Sequence, residues 1–446
     1  MGIVDGHSSL ANAIARGMRI VDERTGIIQG IYDLPLETND PKLFHVAAPL
    51  ADTYRYFGSI RCFRHNGGAA LTRERATMAA IGEAIERYCA GMYDPDSLIE
   101  AKADDLGEEA VPPWRFVLFS EKQYERDDFP LSKPRPDTVF RWARGRSLTG
   151  GKDVYVPACF VYVPYQFSGR DEFITIPIST GLACGSSYED AVLRGILEVV
   201  ERDAFTITWL NRMPVPRVEI DQPKNAELAA VVERFREVDL DICVNLTTTG
   251  LGIPVVITMS LDGTGAGPAT VIAARADFDV EWAILRSLEE TAQTRLWAKK
   301  LMRDYPDFKP SEGYANTTDG ERHVRLFADP EMRCHVDFLT GAPAVQRLSE
   351  IEPPDSIRTS EKISRCIEML SAEGFEVVSV DVTTPDIAEI GFRVVRVLIP
   401  GLHPLDMDHN WRYLGGTRLY ETPFRMGFVD HVRSEEELNP VPHPFP

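Results

Sequence analysis

Two stretches of the chain carry glutamates in one pattern. Ala76-TMAA-Ile81-G-Glu83-A-Ile85-Glu86-Arg87 aligns with Ala191-VLRG-Ile196-L-Glu198-V-Val200-Glu201-Arg202, each matched position offset by 115 residues, as Glu83 is from Glu198. Residues i and i+3 share a face of a helix, so Glu83 and Glu86 make one acidic pair and Glu198 and Glu201 another. Like charges so placed destabilise a helix by a few tenths of a kcal/mol. A cost repeated in two helices points to a cation that offsets it. Carboxylates are hard ligands, suited to Mg2+ rather than Zn2+, and Mg2+ usually completes its shell with water and substrate phosphates. Glu289, Glu290 and Gln293 continue the style in a third stretch, and the i, i+3 phase with Gln293 favours Glu290 over Glu289. The bland alternative is a solvated face with intrahelical Glu–Arg pairs. For one helix that reading would stand; for the duplicated pair metal binding is the better one.

These side chains need helices to position them. Apolar spacing predicts a helix over 74–92, led in by Asn66-GGAA, and a second from about Ser187 to Asn211, led in by Gly181-LACGSS. Ser186 with Glu189 gives the second helix a capping-box start. A third helix is expected over 280–302 and a fourth over 364–372. Strands are expected over 26–32, 154–165, 376–383 and 393–399, with a hairpin of 253–261 and 269–274 around a Gly-rich turn. Residues 104–137, rich in Pro and charge, read as a surface excursion. Strands and helices interleave without a βαβ rhythm, which favours an α+β (mixed α/β) fold. Residues 1–60 read as an N-terminal segment contributing to one large domain over 61–446, which ends in a Pro-rich tail, 439–446.

The formal charge is −20, from 48 basic and 68 acidic side chains. That argues against a protein that coats nucleic acid or an anionic membrane. Seven scattered cysteines without a CxxC fit a reducing cytosol and give no zinc knuckle. No secretory signal or long apolar run is present. Gly145-RSLT-Gly150-Gly151-Lys152 has one residue too many for a P-loop, and Asp153 follows where Ser or Thr is needed. The glycines of 263–267 read as a hairpin turn. No G-x-S-x-G elbow or HExxH occurs, and His335, His403 and His409 read as packing or polar surface.

The doubled Glu-x-x-Glu-Arg segments, Ser179-T-Gly181-Leu182-Ala183-C-Gly185, Glu201-Arg202-Asp203-Ala204, Glu290-TA-Gln293-T-Arg295, Pro400-Gly401-Leu402-H-Pro404 and Arg418 together resemble the YcaO superfamily, over most of the chain. The resemblance implies a YcaO-type fold with an internal pseudo-repeat, holding ATP with Mg2+. Glu83, Glu86, Glu198, Glu201 and Glu290 would bind metal. Gln293, Ser186, Asp190, Arg87, Arg202 and Arg295 would line the nucleotide. Ala79 stands where Ser is expected, and Ser186 and Asp190 where Asn and Glu are expected.

The alternating prolines Pro440, Pro442, Pro444 and Pro446 favour an extended rod. Alone they read as a frayed terminus. Beside the glutamate motifs they resemble the tail of the azoline-forming cyclodehydratases of thiazole/oxazole-modified microcins, which implies a Pro446 carboxylate acting as base. The implied reaction closes Cys, Ser or Thr of a ribosomal precursor peptide onto the preceding amide, whose oxygen ATP phosphorylates. The resemblance also implies an E1-like or related leader-binding partner, a flavin dehydrogenase in the same complex, and a homodimer or hetero-oligomer. Thioamide or amidine formation, a non-catalytic ATP-binding scaffold, and an unrelated Mg2+-dependent ligase are the alternatives.

Overall fold

The computed structural model describes residues 4–52, 66–354 and 358–445, with side chains from Ser9 onward. Its longest helices are α1 (Arg73–Gly91), α2 (Tyr188–Leu210) and α3 (Val280–Asp304). Each begins at a side-chain cap: Thr72 Oγ1 accepts the Arg75 N–H (3.4 Å), Ser187 Oγ that of Asp190 (3.1 Å) and Asp279 Oδ1 that of Trp282 (3.0 Å). Such caps contribute about 1 kcal/mol each and fix where the helix starts. The start of α2 differs from the capping box expected at Ser186. Ser187 is the cap, and Ser186 donates its N–H to Asp190 Oδ2 at 3.2 Å.

The helices pack on three sheets. Tyr32–Asp33, Phe44–Ala47 and Gly67–Ala70 form an antiparallel sheet that carries α1. The second sheet runs Thr270–Ala276, Val255–Asp262, Leu240–Thr247, Arg217–Glu219, Val345–Arg347, the last pair parallel. Its first two strands are the expected hairpin, and α3 packs on them. The third runs Ile99–Ala101, Phe140–Ser147, Val378–Asp381, Arg393–Leu398, Leu182–Gly185, and Asp153–Pro157 pairs off Phe140–Ser147. α2 lies against Arg393–Leu398, Leu182–Gly185 and Thr270–Ala276. Contact on several sides buries most of α2, from Ala191 to Leu210, which is why its apolar residues do not form a narrow stripe.

The repeat is structural. Strand Gly67–Ala70, cap Thr72 and α1 recur 115 residues on as strand Leu182–Gly185, cap Ser187 and α2. Gly68 shows how tight the first unit is: a Cβ there would lie 2.6 Å from Ala79 Cβ.

Three local expectations change. Residues 26–32 hold only a bridge at Ile28 and the start of Tyr32–Asp33, because Gly26 and Gly30 interrupt the pairing. The strand expected over 154–165 stops at Pro157, which has no N–H to continue the ladder, and a 3-10 turn Ala158–Phe160 follows. Residues 104–137 are more than an excursion. Val117, Leu118, Phe119, Phe129 and Leu131 bury a satellite core against Tyr413. Among the described residues no helix is long and apolar enough to cross a membrane.

Candidate active site

Counting from the caps phases three helices alike. Glu83, Glu198 and Glu290 stand eleven residues past Thr72, Ser187 and Asp279, and Glu86, Glu201 and Gln293 stand fourteen past them. The third helix therefore belongs to the same scheme, with an amide in place of one carboxylate. Fifteen past the cap come Arg87, Arg202 and Thr294, so Arg295 is one step out of phase, about 100° around the helix.

The glutamates converge electrostatically, and Glu198 is the hub. Its charge repels Glu83, Glu86, Glu201 and Glu290. Burial pushes Glu86 up to about 8, against the Cys184 N–H that it accepts at 2.8 Å; Glu198 and Glu83 add to the rise. Burial also raises Glu83, opposed by Arg87 (3.8 Å) and by the Gly67 N–H (2.8 Å). Glu201 and Glu290 rise together, again chiefly through burial, with Arg275 the largest opposing charge on each. Gln293 lies against Gly67: its Nε2 is 3.3 Å from where a Gly67 Cβ would sit. Ser186 and Asp190 stand at the start of α2, where Arg194 Nε donates to Asp190 at 3.0 Å.

Cationic groups edge the cluster. Arg202 pairs with Glu198 at 3.3 Å. Arg396, on strand Arg393–Leu398, is buried and pushed down to about 9, with Glu198 its supporting anion. Among the described residues Arg396 Nε and Nη1 and Arg202 Nε meet no hydrogen-bond partner. Mutually repelling oxygen donors beside orphaned guanidinium N–H groups are a donor set that fits Mg2+ together with a phosphate chain. Sequence reasoning missed Arg396 and Arg275. The available signal was a lone Arg in V-V-R-V, a charge inside an otherwise apolar strand.

Two residues sit elsewhere than the motif suggests. Arg295 is buried in ion pairs with Asp262 (2.8 Å) and Asp40 (3.5 Å), and ties α3 to the Gly-rich hairpin turn instead of standing beside the glutamates. Glu289 accepts the Leu71 N–H at 3.3 Å and pairs with Arg286 and, at 3.6 Å, with Arg75.

The tail is not frayed. Trp209 Nε1 donates to Val441 O (3.0 Å), and the Asn439 N–H to Leu210 O (2.7 Å). Pro440 is exposed, but Pro442 and Pro444 are buried. Phe445 packs on Phe205 (ring centroids 4.6 Å apart), and the Arg202 guanidinium lies 5.6 Å from its ring centre. The tail thus runs back along α2 from Leu210 to Arg202, at the edge of the glutamates. Pro446 lies outside the described residues.

The fold and this cluster define an enzyme class. Residues 67–403 match the family described as YcaO cyclodehydratase, ATP- and Mg2+-binding. The chain belongs to that family, and ATP and Mg2+ are its cofactors. An uncharacterised protein of Methanothermobacter thermautotrophicus is 26% identical over 346 residues, 76% of this chain and 82% of that protein. A solved structure titled as a heterocyclase in complex with substrate and cofactor superposes with a TM-score of 0.81 at 23% identity. It covers 98% of this chain, which spans only 57% of the heterocyclase. YcaO from Methanopyrus kandleri, bound with AMPPCP and Mg2+, superposes with a TM-score of 0.64 at 21% identity, covering 89% of this chain and 91% of that one.

Proposed function

We propose that the chain is the ATP-dependent heterocyclase subunit of a peptide-modifying complex, closing Cys, Ser or Thr side chains of a precursor peptide into azolines. The observation that carries this reading is the docked tail. A Pro-rich segment buried along α2, with Phe445 against Arg202, brings the chain's last described residues to the glutamate cluster. A plain ATP-binding scaffold has no use for that placement.

Glu83, Glu86, Glu198, Glu201 and Glu290, with Gln293, would hold Mg2+, and Arg202 and Arg396 would face the phosphates. When bound, ATP supplies the phosphoryl group that turns an amide oxygen into a leaving group, and Mg2+ neutralises its charge. The protein's own part is positional. Backbone N–H groups of Gly67 and Cys184 orient Glu83 and Glu86, and buried guanidinium groups stand ready before ligand arrives, so little reorganisation is needed. The tail forms one wall where the peptide amide would lie. The titles of the compared structures support a peptide substrate, and the chain's shorter span supports a separate leader-binding protein. Buried thiols at Cys89, Cys159, Cys184 and Cys366 suit a reducing compartment.

The test is reconstitution of the full chain with a candidate precursor peptide, its leader-binding partner, ATP and Mg2+. Mass spectrometry should show loss of one water per ring. Truncation before Pro444, and Phe445→Ala, should abolish ring formation while AMPPCP–Mg2+ binding persists. Full ring formation in both variants would remove the tail from the reaction. Exchange of oxygen for sulfur would instead identify thioamide chemistry.

A further inference from the structure

A second group of metal-ligating side chains lies against the tail and shares no residue with the glutamates. His323 is on the helix Gly320–Phe327, Asp406 follows the Pro400–Pro404 turn, and His443 sits between Pro442 and Pro444. All three are buried, at 0%, 3% and 4% exposure. One ligand atom from each lies within 4.8 Å of the other two.

Backbone carbonyls set the tautomers. His323 Nδ1 is 2.7 Å from His443 O, which can only accept, so Nδ1 carries the hydrogen and Nε2 presents its lone pair. His443 Nε2 is 2.7 Å from Asp406 O, so Nε2 carries the hydrogen and Nδ1 presents its lone pair. Among the described residues His323 Nε2, His443 Nδ1 and Asp406 Oδ2 meet no hydrogen-bond partner. Three buried acceptors thus stand in one cluster with no donor. Imidazoles whose second nitrogen donates to a backbone carbonyl are oriented as metal-binding histidines usually are.

We propose that His323, Asp406 and His443 bind a divalent transition-metal ion of the Zn2+ class, which fastens the tail to the body of the protein. Two neutral imidazoles and one carboxylate suit Zn2+ better than Mg2+, which prefers oxygen. Bonds of about 2.0–2.2 Å are reached if each ligand atom moves inward by under about 1 Å. Three protein ligands leave a fourth position for water, and a small cavity lined by Thr206, Trp209, His409 and Arg412 adjoins the cluster. The ion would link segments around 323, 406 and 443, which are far apart in the sequence. It would hold His443 three residues before the chain's last position.

Elemental analysis of the full-length protein, incubated with Zn2+ in Mg2+ buffer and then desalted, should find one Zn2+ per chain. Asp406→Asn and His323→Gln should each weaken Zn2+ binding by about tenfold or more, with AMPPCP–Mg2+ binding reporting an intact fold. Co2+ loaded in place of Zn2+ should show visible d–d bands in the wild type that are lost in Asp406→Asn. Absence of stoichiometric metal and of Co2+ bands in the folded wild type would overturn the site, as would Zn2+ binding unchanged in both variants. Neither result bears on the glutamate cluster, so this inference and the heterocyclase reading fail separately.

Discussion

Replacing Glu86 with Gln should stabilise the metal-free protein while removing its hold on Mg2+–ATP. Gln keeps the shape and the oxygen that accepts the Cys184 N–H. It removes a charge that burial, Glu198 and Glu83 all oppose. The sign follows from linkage. A carboxyl held at about 8 in the folded chain, against 4.5 when exposed, binds more protons folded than unfolded. The wild type is therefore unaffected by this group below pH 4.5 and loses stability as pH rises from there to about 8. At pH 7 the largest possible loss is about 3.4 kcal/mol, at 1.36 kcal/mol per pH unit. Water still reaches the half-buried side chain, so a realised gain on the order of 2 kcal/mol is expected for the variant. Urea unfolding in EDTA, at about pH 5 and about pH 7.5, should give curves that nearly coincide at the lower pH and separate at the higher. Calorimetry with AMPPCP and Mg2+ should show binding to the wild type and loss of it in the variant. A variant that is destabilised equally at both pH values would refute the argument that an unneutralised charge is stored at this site. So would wild-type affinity for the Mg2+ complex.

Other perturbations test the frame around the site. Asp203 is fully buried and accepts three hydrogen bonds from Arg418 and one from the His403 N–H; Asp203→Asn should cost about 3–5 kcal/mol in urea unfolding by stranding Arg418, and the double variant Asp203→Leu/Arg418→Met should recover much of it. Burial holds His45 down at about 4, so its contribution is complete above pH 6.5 and is lost as pH falls from there to about 4. His45→Gln should therefore show an acid-side decline shallower by up to about 3 kcal/mol. Arg295→Lys should lower the melting midpoint through loss of the Asp262 contact while the Kd for AMPPCP–Mg2+ stays at its wild-type value; a weakened Kd in a stable variant would return Arg295 to the nucleotide site.

Helix phase explains what was legible in the sequence. The Glu pairs of α1 and α2 could be read because both the i, i+3 spacing and the lead-in repeat, and the structure extends the match to strand and cap. The third unit was only half legible. Its preceding strand belongs to a hairpin, so the lead-ins do not align, and only the distance from cap Asp279 places Glu290 and Gln293 in phase and Arg295 out of it. Arg396, Arg275 and the His323–Asp406–His443 group were not legible. Each depends on which strand or turn lies beside which, and no local spacing encodes that. The strand overextended past Pro157 failed for the opposite reason: β-branched and aromatic residues suit a pleated surface, but one missing N–H ended the ladder.

The surplus of acid has a structural meaning beyond solubility. On an isolated helix, two glutamates at i and i+3 cost a few tenths of a kcal/mol. Once three such helices are packed around one space, the same residues lose water and repel through a poorer dielectric, and the cost rises to kcal/mol per group. The fold could relieve it with basic partners. It supplies Arg87 and Arg202 to single glutamates, yet Glu86 has only a backbone N–H and more distant charge. Full neutralisation from within would leave no affinity for a cation. A chain that holds its glutamates incompletely paired has reserved that stabilisation for Mg2+ and the phosphates it carries. For this reason the metal-free protein should be least stable at the pH where it binds its cofactor best.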